Sequence, residues 1–226
     1  MNTCKFFEVS VRPKDYVPFR CRKCAQCCRH IKNSVMVESL DAYRIAKFLR
    51  DEDKSILSMD DVLIRYCVAE PLNEVGFPIY MLRTTEPDDS CIFLENGACK
   101  IYPVRPWTCR VYPFSIGPGS RGRDFEYVIC MDRHQEHFSD GRVLVKDWLH
   151  QNFSKEDKNF LKEEYAFIPK LGHLLHDISP ALSARAIFLL QHYCYSNFNL
   201  EQPFLPQYMR NNAELLRQLY QLCNEI

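Results

Sequence analysis

The sequence predicts an α+β fold, with a small cysteine-rich α+β core of short strands followed by a mainly helical C-terminal part. Three observations predict it. Ten of the twelve cysteines lie between Cys4 and Cys130, and only Cys194 and Cys223 follow. That first stretch is also rich in proline and breaks into short segments. From Val143 onward the apolar spacing turns helical. The expected organisation is residues 1–140 as a cysteine-cluster domain and 141–226 as a helical extension packed on it.

The elements follow in order. Leu40, Tyr43, Ala46, Phe48 and Leu49 recur at helical spacing and predict a helix from about Ser39 to Arg50. A second helix opens at Ser58, where Ser58 and Asp61 form an S-x-x-D capping box. Val62, Leu63, Tyr66 and Cys67 face inward from it, and Pro71 ends it. Phe77 to Thr84 reads as a strand with Pro78 near its edge. Cys91-Ile92-Phe93-Leu94 and Cys99-Lys100-Ile101-Tyr102 read as a hairpin around Glu95-Asn96-Gly97. Pro103, Pro106 and Pro113 exclude a long helix or central strand between Tyr102 and Phe114. Ser115 to Arg123 holds three glycines and reads as a loop, and Phe125 to Cys130 as a short strand. Beyond Val143, Trp148 and Leu149 share an apolar face. Ser154 and Asp157 repeat the capping box ahead of Phe160, Leu161 and Tyr165, and Pro169 interrupts that helix. Ser179-Pro180 supplies an N-cap and a proline at the first helical position for a helix to about Cys194. A last helix covers roughly Gln207 to Cys223.

A chain of 226 residues is one full-sized domain, or one domain with an extension. It buries about 70% of its unfolded surface and needs no metal merely to own a core. Lys plus Arg and Asp plus Glu are 29 each, so nothing global points to nucleic acid. Met1 to Phe7 lacks the basic start and apolar run of a signal peptide. Ala186-Ile187-Phe188-Leu189-Leu190 is far too short to span a bilayer, so no membrane is expected. A cytoplasmic location follows, and in a reducing cytosol many cysteines mean metal or redox chemistry rather than disulfides. The Cys27-Cys28 doublet also weighs against a disulfide scaffold.

The central signal is Cys21-x2-Cys24-x2-Cys27-Cys28. A C-x2-C step lets two thiolates converge on one ion, and two successive steps also wrap a corner of an iron–sulfur cluster. Cys27 and Cys28 are awkward ligands for one mononuclear site, because successive side chains point apart. The doublet therefore implies two neighbouring sites, a multinuclear cluster, or one non-ligand. Cys91, Cys99, Cys109 and Cys130 bring the candidate metal ligands to eight, enough for two four-ligand sites. Eight thiolates with two zinc ions or two cubane clusters leave about minus four charges. Arg20, Arg22, Lys23, Arg29, Lys32, Lys100, Arg105 and Arg110 flank the cysteines and can offset that charge. Arg105 and Arg110, in the run Arg105-Pro106-x2-Cys109-Arg110, are expected beside the cluster; solvated surface positions are the plainer alternative. A three-residue loop at Glu95-Asn96-Gly97 would pair Phe93 with Cys99, place Cys91 and Cys99 on one face, and put Gly97 at positive φ in a G1 bulge. A two-residue loop would pair Leu94 with Cys99 and point the two sulfurs to opposite faces.

These segments resemble a known family. Phe19-x-Cys21-x2-Cys24-x2-Cys27-Cys28, Cys91-Ile92-Phe93-Leu94 and Cys99-x-Ile101-Tyr102-x2-Arg105-Pro106-x2-Cys109-Arg110-x-Tyr112-Pro113-Phe114 look like the CxxCxxCC cysteine-cluster proteins, also called YkgJ-like. The resemblance spans roughly residues 19 to 130. It implies zinc or iron chelation, or an iron–sulfur cluster, on a small α+β core, and it implies no particular reaction. Enzymes that methylate flagellin lysines carry a similar cluster, but no motif here secures that activity. One departure is visible: the family usually has glycine after the second cysteine, and this chain has Ala25. If that turn needs a positive φ, Ala25 costs roughly 1 kcal/mol.

Other candidates read more blandly. Cys130-x3-His134-x2-His137 has ligand-like spacing, and His30 follows the doublet, yet His134 and His137 sit in a polar stretch and read as surface residues. His173 and His176 read as residues at the edge of the core. Cys67, Cys194 and Cys223 fall on apolar faces, where cysteine acts as a small hydrophobe. Cys4 is uncommitted. Radical-SAM spacing, P-loop, G-x-G-x-x-G, H-E-x-x-H and G-x-S-x-G motifs are absent. Three functions fit: an iron–sulfur or zinc protein in redox, metal handling or an accessory role; a protein-modifying enzyme similar to the flagellin lysine N-methylases; or a structural zinc module that presents its helices to a protein partner.

Overall fold

The computed structural model describes residues 8–71, 77–119, 124–130 and 135–224. It is an α+β fold of short antiparallel ribbons and helices. Two strands unforeseen from the sequence come first, β1 (Glu8–Val11) and β2 (Tyr16–Val17). Helix α1 (Ser39–Glu52) forms where predicted and buries Leu40, Tyr43, Ile45, Ala46 and Leu49. The capping box of Ser58 and Asp61 is present at the start of α2 (Met59–Tyr66). Such a cap is worth about 1 kcal/mol.

Cys67 is not helical, contrary to expectation. It opens β3 (Cys67–Pro71), which pairs antiparallel with β4 (Pro78–Leu82). Arg83 donates its amide to the Tyr66 carbonyl at 2.8 Å, so the ladder takes over where the helix stops. Pro71 faces Pro78 at the ladder's far end, where neither needs to donate. The predicted strand to Thr84 breaks at Arg83, and β5 (Thr84–Thr85) pairs instead with β6 (Ser90–Cys91).

The hairpin differs from prediction. β7 (Leu94–Glu95) pairs with β8 (Ala98–Cys99) in the register Leu94 to Cys99, so the loop has two residues. Asn96 (φ 51°) and Gly97 (φ 77°) both lie in the left-handed region, as a type I′ turn requires. Gly97 has the positive φ expected of it, but there is no three-residue G1 loop.

Helix α3 (Trp107–Val111) is a short turn between the prolines. β9 (Phe114–Pro118) occupies part of the predicted loop. Its alternation was masked by glycine and proline, but Phe114 and Ile116 are buried and Ser115 is exposed. Gly119 closes the return: its amide donates to Asp124 O at 2.7 Å, and a Cβ there would lie 2.6 Å from the same oxygen. β10 (Phe125–Cys130) forms as predicted and is the centre of the sheet β1-β10-β9.

In the C-terminal part, β11 (Val143–Leu144) pairs with β2 and leads into α4 (Val145–Asn152). Helix α5 (Lys155–His176) starts on the Ser154–Asp157 capping box and runs through Pro169 without interruption. A proline costs one amide donor there, while Phe167, Leu171 and Leu175 remain buried on either side of it. A 3-10 turn at Pro180–Leu182 leads into α6 (Ser183–Gln191), which widens into a π turn over His192–Ser196. Helix α7 (Phe204–Cys223) begins three residues earlier than predicted. Phe204 and Tyr208 stack and Phe160 packs edge-on to both where α5 and α7 meet, with ring centroids 5.1 to 5.7 Å apart. Each such burial contributes about 2 kcal/mol. One continuous hydrophobic core runs from Val17 to Leu222. Among the described residues, no helix is long and apolar enough to cross a membrane.

Candidate metal centre

The segment from Cys21 to His30 has little regular structure, and its ends are pinned. Before it, buried Phe19 packs edge-on against Tyr112, His137 and Trp148, and Arg20 donates its amide to His137 O at 2.9 Å. After it, the amides of His30 and Ile31 donate to Asp88 O and Asp89 O at 3.0 Å, and Arg29 pairs with Asp88. Between these anchors, Lys23, Ala25 and His30 all have positive φ, and Gln26–Cys28 forms one 3-10 turn. Ala25 (φ 60°, ψ 10°) occupies the left-handed position at which glycine is the easier residue.

Four other elements bring the remaining cysteines. Cys91 ends β6; Ile92 still donates to Arg83 O at 3.0 Å, and at the next residue the partner changes, with Lys100 donating to Phe93 O at 2.9 Å. Cys99 ends β8. Cys91 and Cys99 thus belong to different ribbons, so the alternation argument, which needed one continuous strand, does not govern them. Cys109 is on α3, whose first residue is held to α1: Trp107 donates its amide to Asp41 at 3.0 Å and its indole to Glu38 at 2.9 Å. Cys130 ends β10, with its amide on Pro113 O at 3.0 Å.

Seven of the eight predicted ligands, Cys21, Cys27, Cys28, Cys91, Cys99, Cys109 and Cys130, line one cavity of about 730 Å³. Cys24 stands off that wall, with Sγ 3.1 Å from His137 Nε2. No disulfide joins the cysteines among the described residues. Cys27 is held at about 7 by a hydrogen bond with Cys28 and by the charge of Arg105. The same bond pushes Cys28 the other way. Burial pushes Cys91 to about 11 and also raises Cys99 and Cys109. Burial thus favours the neutral form of Cys91, Cys99 and Cys109 while Cys27 is the readiest to ionise, and a bound cation favours the thiolate in all of them.

The residues fit a thiophilic metal. The donors are soft, and the Thr108 hydroxyl on the cavity wall is buried without a hydrogen-bond partner among the described residues, free to donate to sulfur. Among the described residues, no three candidate donors yet stand within one ion's shell. The thiols are gathered and the shell is not closed.

The two arginines diverge. Arg105 lines the cavity, with its Nε donating to Tyr102 O at 3.0 Å and its guanidinium 3.8 Å from the Tyr102 ring centroid. Arg110 is not where it was expected. Its Nε donates to Arg105 O at 3.0 Å, and its two terminal nitrogens donate to Asp157 at 2.9 and 2.8 Å. A buried carboxylate outcompetes the cavity for it, and Arg110 braces the segment carrying Arg105 and Cys109.

The histidines also need correction. His137 is buried at 4% exposure rather than on the surface, because its turn folds the ring against Phe19 and Tyr112. The C-x3-H-x2-H spacing was the signal that could have found it. His173 and His176 are exposed rather than at the core edge. Cys67 and Cys194 are buried, and Cys223 donates weakly to Leu174 O at 3.6 Å. Cys4 and His134 lie outside the described residues.

A family model, CxxCxxCC, described as "Putative zinc- or iron-chelating domain", matches residues 20–140. The uncharacterised protein MJ0661 of Methanocaldococcus jannaschii is 32% identical over 131 residues, 56% of this chain and 63% of that protein. The chain therefore spans less than two thirds of that relative's length. No solved structure matches. With the family model covering more than half of its length, and the motif cysteines gathered in one place, the chain belongs to the CxxCxxCC family.

Proposed function

We propose that this chain holds a polynuclear metal–thiolate centre, an iron–sulfur cluster in preference to separate zinc ions, and serves a redox, metal-handling or accessory role in the cytoplasm. The observation that carries the reading is that the adjacent Cys27 and Cys28 both face the cavity, alongside five other cysteines. Neighbouring residues seldom serve one mononuclear ion, whereas a cluster offers several metal atoms to one wall. Seven thiols on one cavity wall are one short of two separate four-thiolate zinc sites. Lys23 and Arg105 on the wall offset anionic sulfur, and the Thr108 hydroxyl can donate to it. A bound iron–sulfur cluster would supply one-electron chemistry.

The test is anaerobic purification of the chain, followed by iron, zinc and acid-labile sulfide analysis. Brown protein with broad absorbance near about 400 nm and equimolar iron and sulfide is the expected result. Colourless protein with stoichiometric zinc and no sulfide overturns the iron–sulfur assignment. A protein without metal overturns the whole reading.

A further inference from the structure

Cys24 is the one predicted ligand that does not line the cavity. It is also the one placed against an imidazole. His137 Nε2 lies 3.1 Å from Cys24 Sγ, and the ring is buried, edge-on to Phe19 and Tyr112 at centroid distances of 6.3 and 6.4 Å. The backbone fixes the pairing from both sides. Arg20 donates to His137 O at 2.9 Å, and Asp140 binds Arg22 at 2.7 Å and Arg20 at 3.6 Å. The root of the cysteine loop is thus strapped to residues 137–140. A buried, wedged imidazole cannot follow solvent, so its Nε2 is presented to Cys24 by the fold.

We propose that His137 Nε2 and Cys24 Sγ are ligands of the same metal atom, so that the centre carries one nitrogen donor beside its thiolates. The proposal rests on the metal-centre reading above. Metal–sulfur and metal–nitrogen bonds of about 2.3 and 2.0 Å place tetrahedral donors roughly 3.5 Å apart. The observed pair needs to open by only a few tenths of an ångström, so the aromatic cage can stay in place while the exposed loop moves. The remaining donors for that atom come from the exposed Cys21–Cys27 loop, whose closure completes a shell that is not yet formed.

The experiment uses the full chain and the metal found in the anaerobic preparation. Iron is reduced with dithionite, or zinc is exchanged for cobalt, and pulsed electron paramagnetic resonance reads nitrogen coupled to the metal. The expected result is a directly bound ¹⁴N signal that changes with ¹⁵N-histidine labelling and disappears in His137→Ala. His137→Cys, which restores a donor, should keep metal without the nitrogen signal and decides the matter if the alanine variant does not fold. Metal retention against a chelator should fall at least about tenfold in His137→Ala. A loaded wild-type protein with no bound-nitrogen signal overturns the proposal while leaving the metal centre standing, as does a signal that survives both substitutions. A wild-type chain that binds no metal overturns both.

Discussion

Asp157→Asn removes the charge that joins the helical part of the molecule to the segment carrying Cys109. The Asp157 side chain is 1% exposed and pairs with Arg110 at 2.8 Å and also with Arg44 of α1. Burial alone would raise its carboxyl, but the Arg110 hydrogen bond and the charges of Arg44 and Arg110 hold it at about 2, against an ordinary 3.8. That gap corresponds to about 2.5 kcal/mol of stability at neutral pH. Because the carboxyl is lower in the folded state, this contribution is complete above about pH 4 and is lost as the pH falls toward 2, with about half gone by pH 3. Asparagine keeps an oxygen for the amide of Ser154, so the capping box survives, while the charge and the acceptor facing Arg44 and Arg110 are removed. Urea unfolding followed by helical circular dichroism should show the variant about 2.5 kcal/mol less stable at pH 7 and about 1 kcal/mol less stable at pH 3. Both proteins share their cysteines, so thiol protonation cancels in the comparison. A difference below about 0.5 kcal/mol at pH 7, or one that does not shrink with acid, would refute the role assigned to Asp157.

Three further outcomes follow from the same geometry. Serine at Cys24, Cys27, Cys99 or Cys109 should cut metal content sharply on elemental analysis, while serine at Cys194 or Cys223 should not; equal effects in both groups would undo the ligand set. Ala25→Gly should raise the urea midpoint by the equivalent of about 0.5–1 kcal/mol, since the residue stands at φ 60°, and an unchanged or lower midpoint would mean the position is unstrained. Chelation under reducing conditions should increase amide hydrogen exchange in residues 20–30 and leave α1, α5 and α7 protected, because the core is continuous without the metal. Loss of protection throughout those helices would show that the metal organises the whole fold.

What could be read from sequence depended on how local the signal was. The capping boxes at Ser58 and Ser154 are four-residue patterns, and both helix starts stand where predicted. The cysteine-rich segments converge because their motif is dense and unlike core packing. Long-range competition was not legible. Arg110 sits beside Cys109 in sequence, yet Asp157, 47 residues away, takes its guanidinium. Strand alternation relates Cys91 to Cys99 only along one continuous strand, and the chain there is divided between two ribbons. Cys91 pairs with Thr84, and the chain bends before Leu94. Pro169 shows the reverse error: a local breaker was overridden by apolar packing on both sides of it. His137 was missed because polarity of the neighbouring residues says little about a side chain that a 3-10 turn folds inward.

The charge around the cavity gives an independent reason for a neutral nitrogen ligand. Arginines and lysines flank the cysteine motifs in number, but most are already engaged. Arg20 and Arg22 share Asp140, Arg29 pairs with Asp88, Lys32 lies near Asp89, Lys100 lies near Glu95, and Arg110 holds Asp157. Lys23 and Arg105 are on the cavity wall without a carboxylate partner among the described residues. An all-thiolate set of eight with two divalent ions would carry about minus four charges, more than those two cations offset. An imidazole added beside Cys24 fills a coordination position without adding negative charge. It does so at the loop root, where Arg20 and Arg22 already share Asp140. A neutral donor therefore answers a shortage of positive charge that the count of flanking basic residues conceals.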